Sequence, residues 1–329
     1  HAGPEALVIE EVKEPELSAG ACLIEVTAAG LNFPDTLIIR GKYQFQPDLP
    51  FSPGAEISGV VRAVGAKVQH FSPGDRVMAV VKWGGFAEQV AVAESLLIPV
   101  PEEIGLIQAA GFAMTYGTSA HALIQRGRLK PGESLLVLGA GGGVGLSAVQ
   151  IGKAMGARVI AAASSEAKLQ LANAAGADDL VNYQQVNLKD AIKDLTHGQG
   201  VDVVYDPVGG ALTETSLRSM AWGGRLLIVG FASGEIPRLP ANLTLLKGCE
   251  IVGVFLGAFT QRQPQDNLEN FQQLMAWIQQ GKIAPKADKI YPFEKAAAAI
   301  ADMEKRQLAG KAVIKISGEL VTADSGNRT

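Results

Sequence analysis

Along the first third of the chain, short apolar runs alternate with turn residues. Residues 7–9, 22–26, 57–64, 76–81 and 86–92 read as β-strands. They are separated by Ser18-Ala19-Gly20, Ser52-Pro53-Gly54 and Ser72-Pro73-Gly74-Asp75. Many short strands with little helix between them predict a compact β-barrel-like unit. From Leu106 the period changes: residues 107–123 have helical spacing broken by glycines, and end before Lys130-Pro131-Gly132. Strands and helices then alternate, with strands at 135–138, 158–162, 179–181, 201–205 and 225–229. Helices are expected at 168–175 and 213–220, and from Gly145 onward. Such alternation with short connections predicts a doubly wound parallel sheet. Residues 251–255 read as an added edge strand and 267–280 as a helix closed by Gly281. A helix at 294–305 and a strand at 312–316 follow. The sheet at 135–229 offers this last strand no obvious partner, so it is expected to return to the first unit. Residues 318–329 are polar and expected to fray.

The stretch LLVLGAGGGVG (135–145) stands at the centre of this pattern. A buried apolar strand runs into a glycine turn and then into a helix. Glycine lets the turn bend sharply and lets the backbone approach a pyrophosphate, whose charge then faces the exposed amides at the helix N-terminus. The spacing, Gly139-x-x-Gly142-x-x-Gly145, is a variant of the usual dinucleotide pattern.

Composition narrows the class without changing the picture. The 329 residues are 47% hydrophobic and 19% charged, with a net charge of −4, which points to neither nucleic acid nor an acidic membrane surface. No apolar run of about 18 residues predicts a spanning helix. The opening HAGPEALVIEEV lacks a basic stretch followed by an apolar core, so no secretory leader is expected there. Cys22 and Cys249 sit in strand-like apolar contexts and read as buried thiols rather than a disulfide, which fits a reducing, cytoplasmic compartment.

The motifs AAGLNFPDTLIIRGKY (28–43), LPFSPGAEISGVV (49–61), GDRVMA (74–79), YDPVGG (205–210) and GRLLIVGFASG (224–234) flank the glycine turn. Together they resemble the medium-chain dehydrogenase/reductase superfamily, in its zinc-independent quinone oxidoreductase (zeta-crystallin-like) branch. The resemblance implies an α/β chain with two domains. A GroES-like β-barrel catalytic domain would span 1–115, with 286–329 returning to it, and a Rossmann cofactor domain 116–285. Zinc alcohol dehydrogenases carry Cys where this chain has Asn32, and Gly-His-Glu where it has Gly54-Ala55-Glu56. The four-cysteine lobe is absent, and His70, His121 and His197 are scattered, so no metal site is expected.

For the cofactor, the second strand of the nucleotide unit ends in alanines, so no carboxylate there would repel a 2′-phosphate. Ser164, Ser165 and Lys168 follow, and Glu166 is the one acid that could reach a ribose hydroxyl. NADPH is the implied cofactor, with Ser164, Lys168 and Tyr183 around its adenosine phosphate. Gly141, Gly142, Gly143 and Val144 would meet the pyrophosphate, and Thr118 and Asn32 the nicotinamide. Val229, Phe231, Phe255 and Gly257 would lie at strand ends beside the carboxamide and ribose, and Lys311 could approach from the returning tail.

Without zinc, a conjugated acceptor is the natural substrate, because hydride addition to a quinone or enone gives an already delocalised anion. Asn32 is the expected hydrogen-bond donor at the carbonyl or nicotinamide, and Tyr43 the expected acid or pocket wall. Arg40 could steer an anionic substrate or pair with a carboxylate, while Asp35 and Glu56 read as loop supports. Ser119 and His121 lack a nucleophile elbow. The reading is therefore an oxidoreductase, an NADPH-dependent reductase of quinones or α,β-unsaturated carbonyls. Alternatives are an enoyl-CoA or acryloyl-CoA reductase, needing a basic groove from residues such as Arg40, Arg262 and Lys282, and a non-catalytic NADPH-binding protein with an RNA-binding role. The acidic balance opposes the last. A homodimer joined through the apolar edge at 251–255 is expected.

Overall fold

The computed structural model describes residues 2–317, so His1 and the expected fraying of 318–329 lie outside it. Thirteen strands form two sheets among the described residues. The first holds β1 (Ala21–Gly30), β2 (Glu56–Val64), β3 (Arg76–Val80), β4 (Gln89–Ala93) and β5 (Leu97–Pro99), together with β12 (Lys289–Pro292) and β13 (Ala312–Lys315) from the far end of the chain. Its order is β12-β13-β1-β2-β3-β5, with β4 also paired to β1. The expected return of the tail is met: β13 runs antiparallel to β1, Gly30 opposite Val313.

The second sheet is parallel and six-stranded. It holds β6 (Ser134–Leu138), β7 (Arg158–Ala163), β8 (Asp179–Asn182), β9 (Val201–Asp206), β10 (Met220–Ile228) and β11 (Glu250–Gly253). The order β11-β10-β9-β6-β7-β8 means that the chain winds one way from β6 to β8 and the other way from β9 to β11. The switch lies between β6 and β9, and ligands bind in such sheets at the carboxyl ends beside that switch. Met78 and Val100 of the first sheet's side pack with Phe112, Tyr116, Leu135 and Val137, so one apolar cluster is shared by both sheets.

Four local expectations are corrected. Residues 7–9 are not a strand: Val8 and Ile9 are exposed, and the run pairs with no strand of either sheet, so nothing completes its β-prone composition. The fourth strand begins at Gln89 rather than Phe86, because Phe86 is spent in a turn, its N–H donating to Pro53 O at 2.9 Å. The helix expected over 107–123 is divided into α1 (Leu106–Ala109) and α2 (Ala113–Ala120), followed by a π-helical turn, His121–Arg126. Gly111 lies at the division, and a Cβ there would meet Lys311 Cγ at 2.7 Å. The last strand of the parallel sheet ends at Gly253, and Phe255 instead precedes a short helix, Leu256–Arg262.

Candidate functional site

The order β13-β1-β2 brings three strand ends to one place. Asn32 follows β1, Glu56 opens β2 and Lys311 precedes β13, and antiparallel pairing puts all three at the same edge. Asn32 Nδ2 donates to Glu56 Oε2 at 2.8 Å and to the Gly30 carbonyl at 3.3 Å. Lys311 Nζ donates to Asn32 Oδ1 at 2.7 Å, to Glu56 Oε2 at 2.9 Å and to the Leu31 carbonyl at 3.2 Å. The remaining oxygen of Glu56 accepts the Met114 backbone N–H. The Lys311 and Glu56 side chains are 6% and 0% exposed, so this is a buried ion pair whose every polar atom is engaged.

Asp35 closes the cluster by accepting the Asn32 backbone N–H at 2.8 Å. Burial pushes its carboxyl up to about 7, against the opposing pull of hydrogen bonds from Asn32 and Gly54 and of the Lys311 charge. Tyr43, half-buried in the loop beyond, stands edge-on to Phe45 with ring centroids 5.9 Å apart. Burial, and the nearby Asp35 charge, raise its hydroxyl above the ordinary value, so it keeps its proton. Arg40 faces elsewhere, in a bidentate pair with Glu304.

The carboxyl ends of the parallel sheet carry the other expected positions. Gly139 turns with φ +59, and Gly145 packs so closely that a Cβ would lie 2.2 Å from Gly139 O. Gly142 starts the helix Gly143–Ala154, giving exposed amides at its N-terminus, and Val144 is half-buried beside them. Gly141 fits against the next helix, where a Cβ would meet Lys168 Cβ at 2.4 Å. Ser164 and Tyr183 follow β7 and β8, and the Ser164 hydroxyl opposes the rise that burial gives the Tyr183 phenol pKa. Lys168 donates to the Arg306 carbonyl at 3.3 Å, and burial, with the Arg306 charge, lowers its ammonium pKa. Glu166, the acid that could have met a ribose, accepts from Gln170 at 2.6 Å. Val229 and Phe231 lie just past β10, while Phe255 and Gly257 sit at and inside the helix after β11. Thr118 is half-buried on α2.

Two features were not legible in the sequence. Arg306, in a loop after the last helix, also donates to the Ser233 carbonyl, so it ties the segment after β10 to Lys168. Asp206, at the end of β9, takes the Val208 and Gly209 N–H groups at 2.8 and 2.9 Å and the Thr213 hydroxyl at 2.5 Å, shaping the Pro207–Gly210 turn beside the switch. Lys311, expected to approach from the returning tail, turns its ammonium inward onto Asn32 and Glu56. Of the histidines, His121 is buried against Phe259, ring centroids 3.8 Å apart, and His70 and His197 are exposed. Ser119 bonds Ser147 and Tyr205 in a buried hydroxyl chain that holds the helices to β9. The two cysteines are free and buried.

Residues 143–280 match the family described as zinc-binding dehydrogenase, and residues 18–102 the alcohol dehydrogenase GroES-like domain. Asn32 and Ala55 cannot serve as thiolate and imidazole ligands. Among the described residues no three His, Cys, Asp or Glu side chains group as a metal site, so the donor set does not fit zinc. The chain is 38% identical to quinone oxidoreductase-like protein 2 of Rattus norvegicus, over 94% of this chain and 89% of the relative. Among solved structures, Escherichia coli quinone oxidoreductase complexed with NADPH is 30% identical, with a TM-score of 0.88 over 96% of this chain and 98% of that one. CurK enoyl reductase is 25% identical, with a TM-score of 0.86 over 95% and 96%.

Proposed function

Because this chain belongs to the quinone oxidoreductase branch of the medium-chain dehydrogenase/reductase superfamily, we propose that it is an NADPH-dependent, zinc-independent reductase of quinones or α,β-unsaturated carbonyls. The observation that carries the cofactor reading is the cluster after β7 and β8. Lys168 and Arg306 supply two positive charges beside the Ser164 and Tyr183 hydroxyls, and Glu166, at the start of the Lys168 helix, is occupied by Gln170. That set suits the 2′-phosphate of NADPH, which cations bind through charge-assisted hydrogen bonds. Gly141, Gly142, Gly143 and Val144 would hold the pyrophosphate. Val229, Phe231, Phe255, Gly257, Thr118 and Asn32 would surround the rest.

NADPH supplies a hydride when bound. The chain's own work is to orient the acceptor, to place donors at its carbonyl oxygen and to deliver a proton. Tyr43, held protonated by burial, is the proposed acid, and Asn32 the proposed amide donor. We divide the chain into a catalytic domain, 1–115 with 286–329 returning to it, and a cofactor domain, 116–285, a division that the pairing of β12 and β13 with the first sheet supports. A homodimer is proposed through the β11 edge. Trp222, Leu245 and Leu246 are 82%, 77% and 67% exposed, and β11 has a strand on one side only. No described helix is long and apolar enough to cross a membrane, and a cytoplasmic setting is proposed from the free thiols.

The resemblance to an enoyl reductase favours a second reading, reduction of a CoA-linked enoyl group. One assay separates the two. NADPH and NADH oxidation would be followed, with and without a chelator, against 1,4-benzoquinone, 9,10-phenanthrenequinone, a 2-alkenal and crotonyl-CoA. Chelator-insensitive NADPH oxidation by a quinone or the alkenal is expected. Turnover of crotonyl-CoA alone would replace the first reading with the second, and loss of activity to the chelator would overturn zinc independence.

A further inference from the structure

Lys311 spends its three N–H bonds on Asn32, Glu56 and Leu31, all inside the protein. An ammonium has no more to give, so none is left for a cofactor phosphate. Its stem nevertheless runs past the glycine turn: a Cβ on Gly143 would lie 3.2 Å from Lys311 Cδ. The neighbouring Gly310 N–H donates to the Gly141 carbonyl at 2.8 Å. Two consecutive residues thus grip the turn with main chain and stem, and the Asn32 amide with the ammonium.

This grip decides which way the amide faces. An ammonium offers only hydrogens, so the Asn32 oxygen must turn to it, and the Glu56 carboxylate offers only lone pairs, so Nδ2 must turn to that. The two Nδ2 bonds are unequal. The one to Glu56 is 2.8 Å, while the one to Gly30 O is 3.3 Å, just past the usual range. The weakly held hydrogen is the one that can be given up, and a cation on the amide oxygen makes that N–H a stronger donor.

We propose that Lys311 is a positioning residue for the reduction. It fixes and polarises the Asn32 amide so that the N–H resting on Gly30 O is presented to the acceptor's carbonyl oxygen, in register with the glycine turn. This rests on the reductase reading given above.

Lys311→Met alone would strand the Glu56 carboxylate in a dry site, so the informative variant is Lys311→Met with Glu56→Gln, which keeps the site neutral. The double variant is expected to melt near the wild type and to bind NADPH within about twofold by fluorescence titration. Its kcat should be at least about tenfold lower, as for loss of an oriented donor. Recovery of wild-type kcat in the double variant would reduce Lys311 to a structural counter-charge and overturn the proposal. A rise in NADPH Kd matching the fall in kcat/KM would overturn it in favour of a direct cofactor contact. Should this variant fail to fold, Lys311→Arg tests the same point in a charged form: it should keep stability and lose kcat, and full activity would overturn the proposal. A measurement that needs no acceptor separates this inference from the reductase reading. With 15N-asparagine labelling, the wild-type Asn32 amide should show one well-protected side-chain proton and one faster-exchanging proton. Equal protection of the two would overturn the arrangement even if every acceptor were turned over, and the expected inequality would support it even if none were.

Discussion

The Lys168 ammonium donates to the main-chain carbonyl of Arg306 at 3.3 Å, joining a helix of the parallel sheet to a loop 138 residues later. Two cations on unrelated segments do not approach without a reason, since each disfavours the other's charge. An anion placed between them would remove that cost. Lys168→Ala and Arg306→Ala are each expected to raise the NADPH KM by about ten- to a hundredfold, the worth of one charge-assisted bond, and the NADH KM by less than about threefold. Steady-state kinetics with both cofactors checks this, and equal effects on the two would remove the pair from a phosphate site.

The glycine turn makes a steric prediction. A Cβ on Gly145 would lie 2.2 Å from Gly139 O and 2.8 Å from Ala140 Cα, both main-chain atoms that cannot swing aside. Gly145→Ala should therefore cost about 1–3 kcal/mol, the range for overpacking, and weaken NADPH binding together with stability. Gly20→Ala, where nothing lies within 4 Å, is the matched control and should leave both nearly unchanged. Thermal unfolding and cofactor titration of the two variants decide the point.

Asp35 gives the fold a pH dependence of known sign. Its carboxyl, pushed up to about 7, keeps its proton in the folded state where the unfolded chain has already lost it. The associated stability is full below the ordinary carboxylate range and is lost as the pH rises towards 7. Between about pH 5 and pH 8 the wild type should lose about 2–3 kcal/mol more than Asp35→Asn, which carries no proton to release. Denaturant unfolding of both proteins at the two pH values measures the difference. An identical slope would show that Asp35 is ionised throughout.

At the β11 edge, the Trp222 ring lies over Gly248, where a Cβ would come within 2.8 Å of it, and its outer face is bare. If this face joins two copies, Trp222→Glu should shift the sedimenting species from dimer to monomer while NADPH binding stays within about twofold, because the substitution is on the surface, at the opposite end of β10 from Val229 and Phe231. An unchanged sedimentation coefficient would place the interface elsewhere.

Much of this molecule was legible in the sequence because the signals were local. Alternating strands and helices, a glycine turn after an apolar strand, and serine and lysine after the second strand all act within a few residues of themselves. The corrections share one cause. Residues 7–9 have the composition of a strand but pair with none, and the run from 107 to 123 is helical but is divided where Gly111 takes the Lys311 stem. Local preference proposes an element, and a neighbour must still be present to complete it.

The amino-acid order by itself determined the two-sheet architecture, the glycine turn between an apolar strand and a helix, the lack of thiol and imidazole ligands where zinc relatives carry them, and the return of the last strand to the first sheet. Only the tertiary structure decided that Lys311 points inward to Asn32 and Glu56 and that Arg306 stands beside Lys168. Those pairs are 279, 255 and 138 residues apart, and what joins them is sheet order and packing between units. A lone lysine or arginine looks the same in sequence whether it meets solvent, a cofactor or a buried carboxylate. Its partner is chosen by the folded backbone, through the cost of leaving a charge unpaired once water is gone.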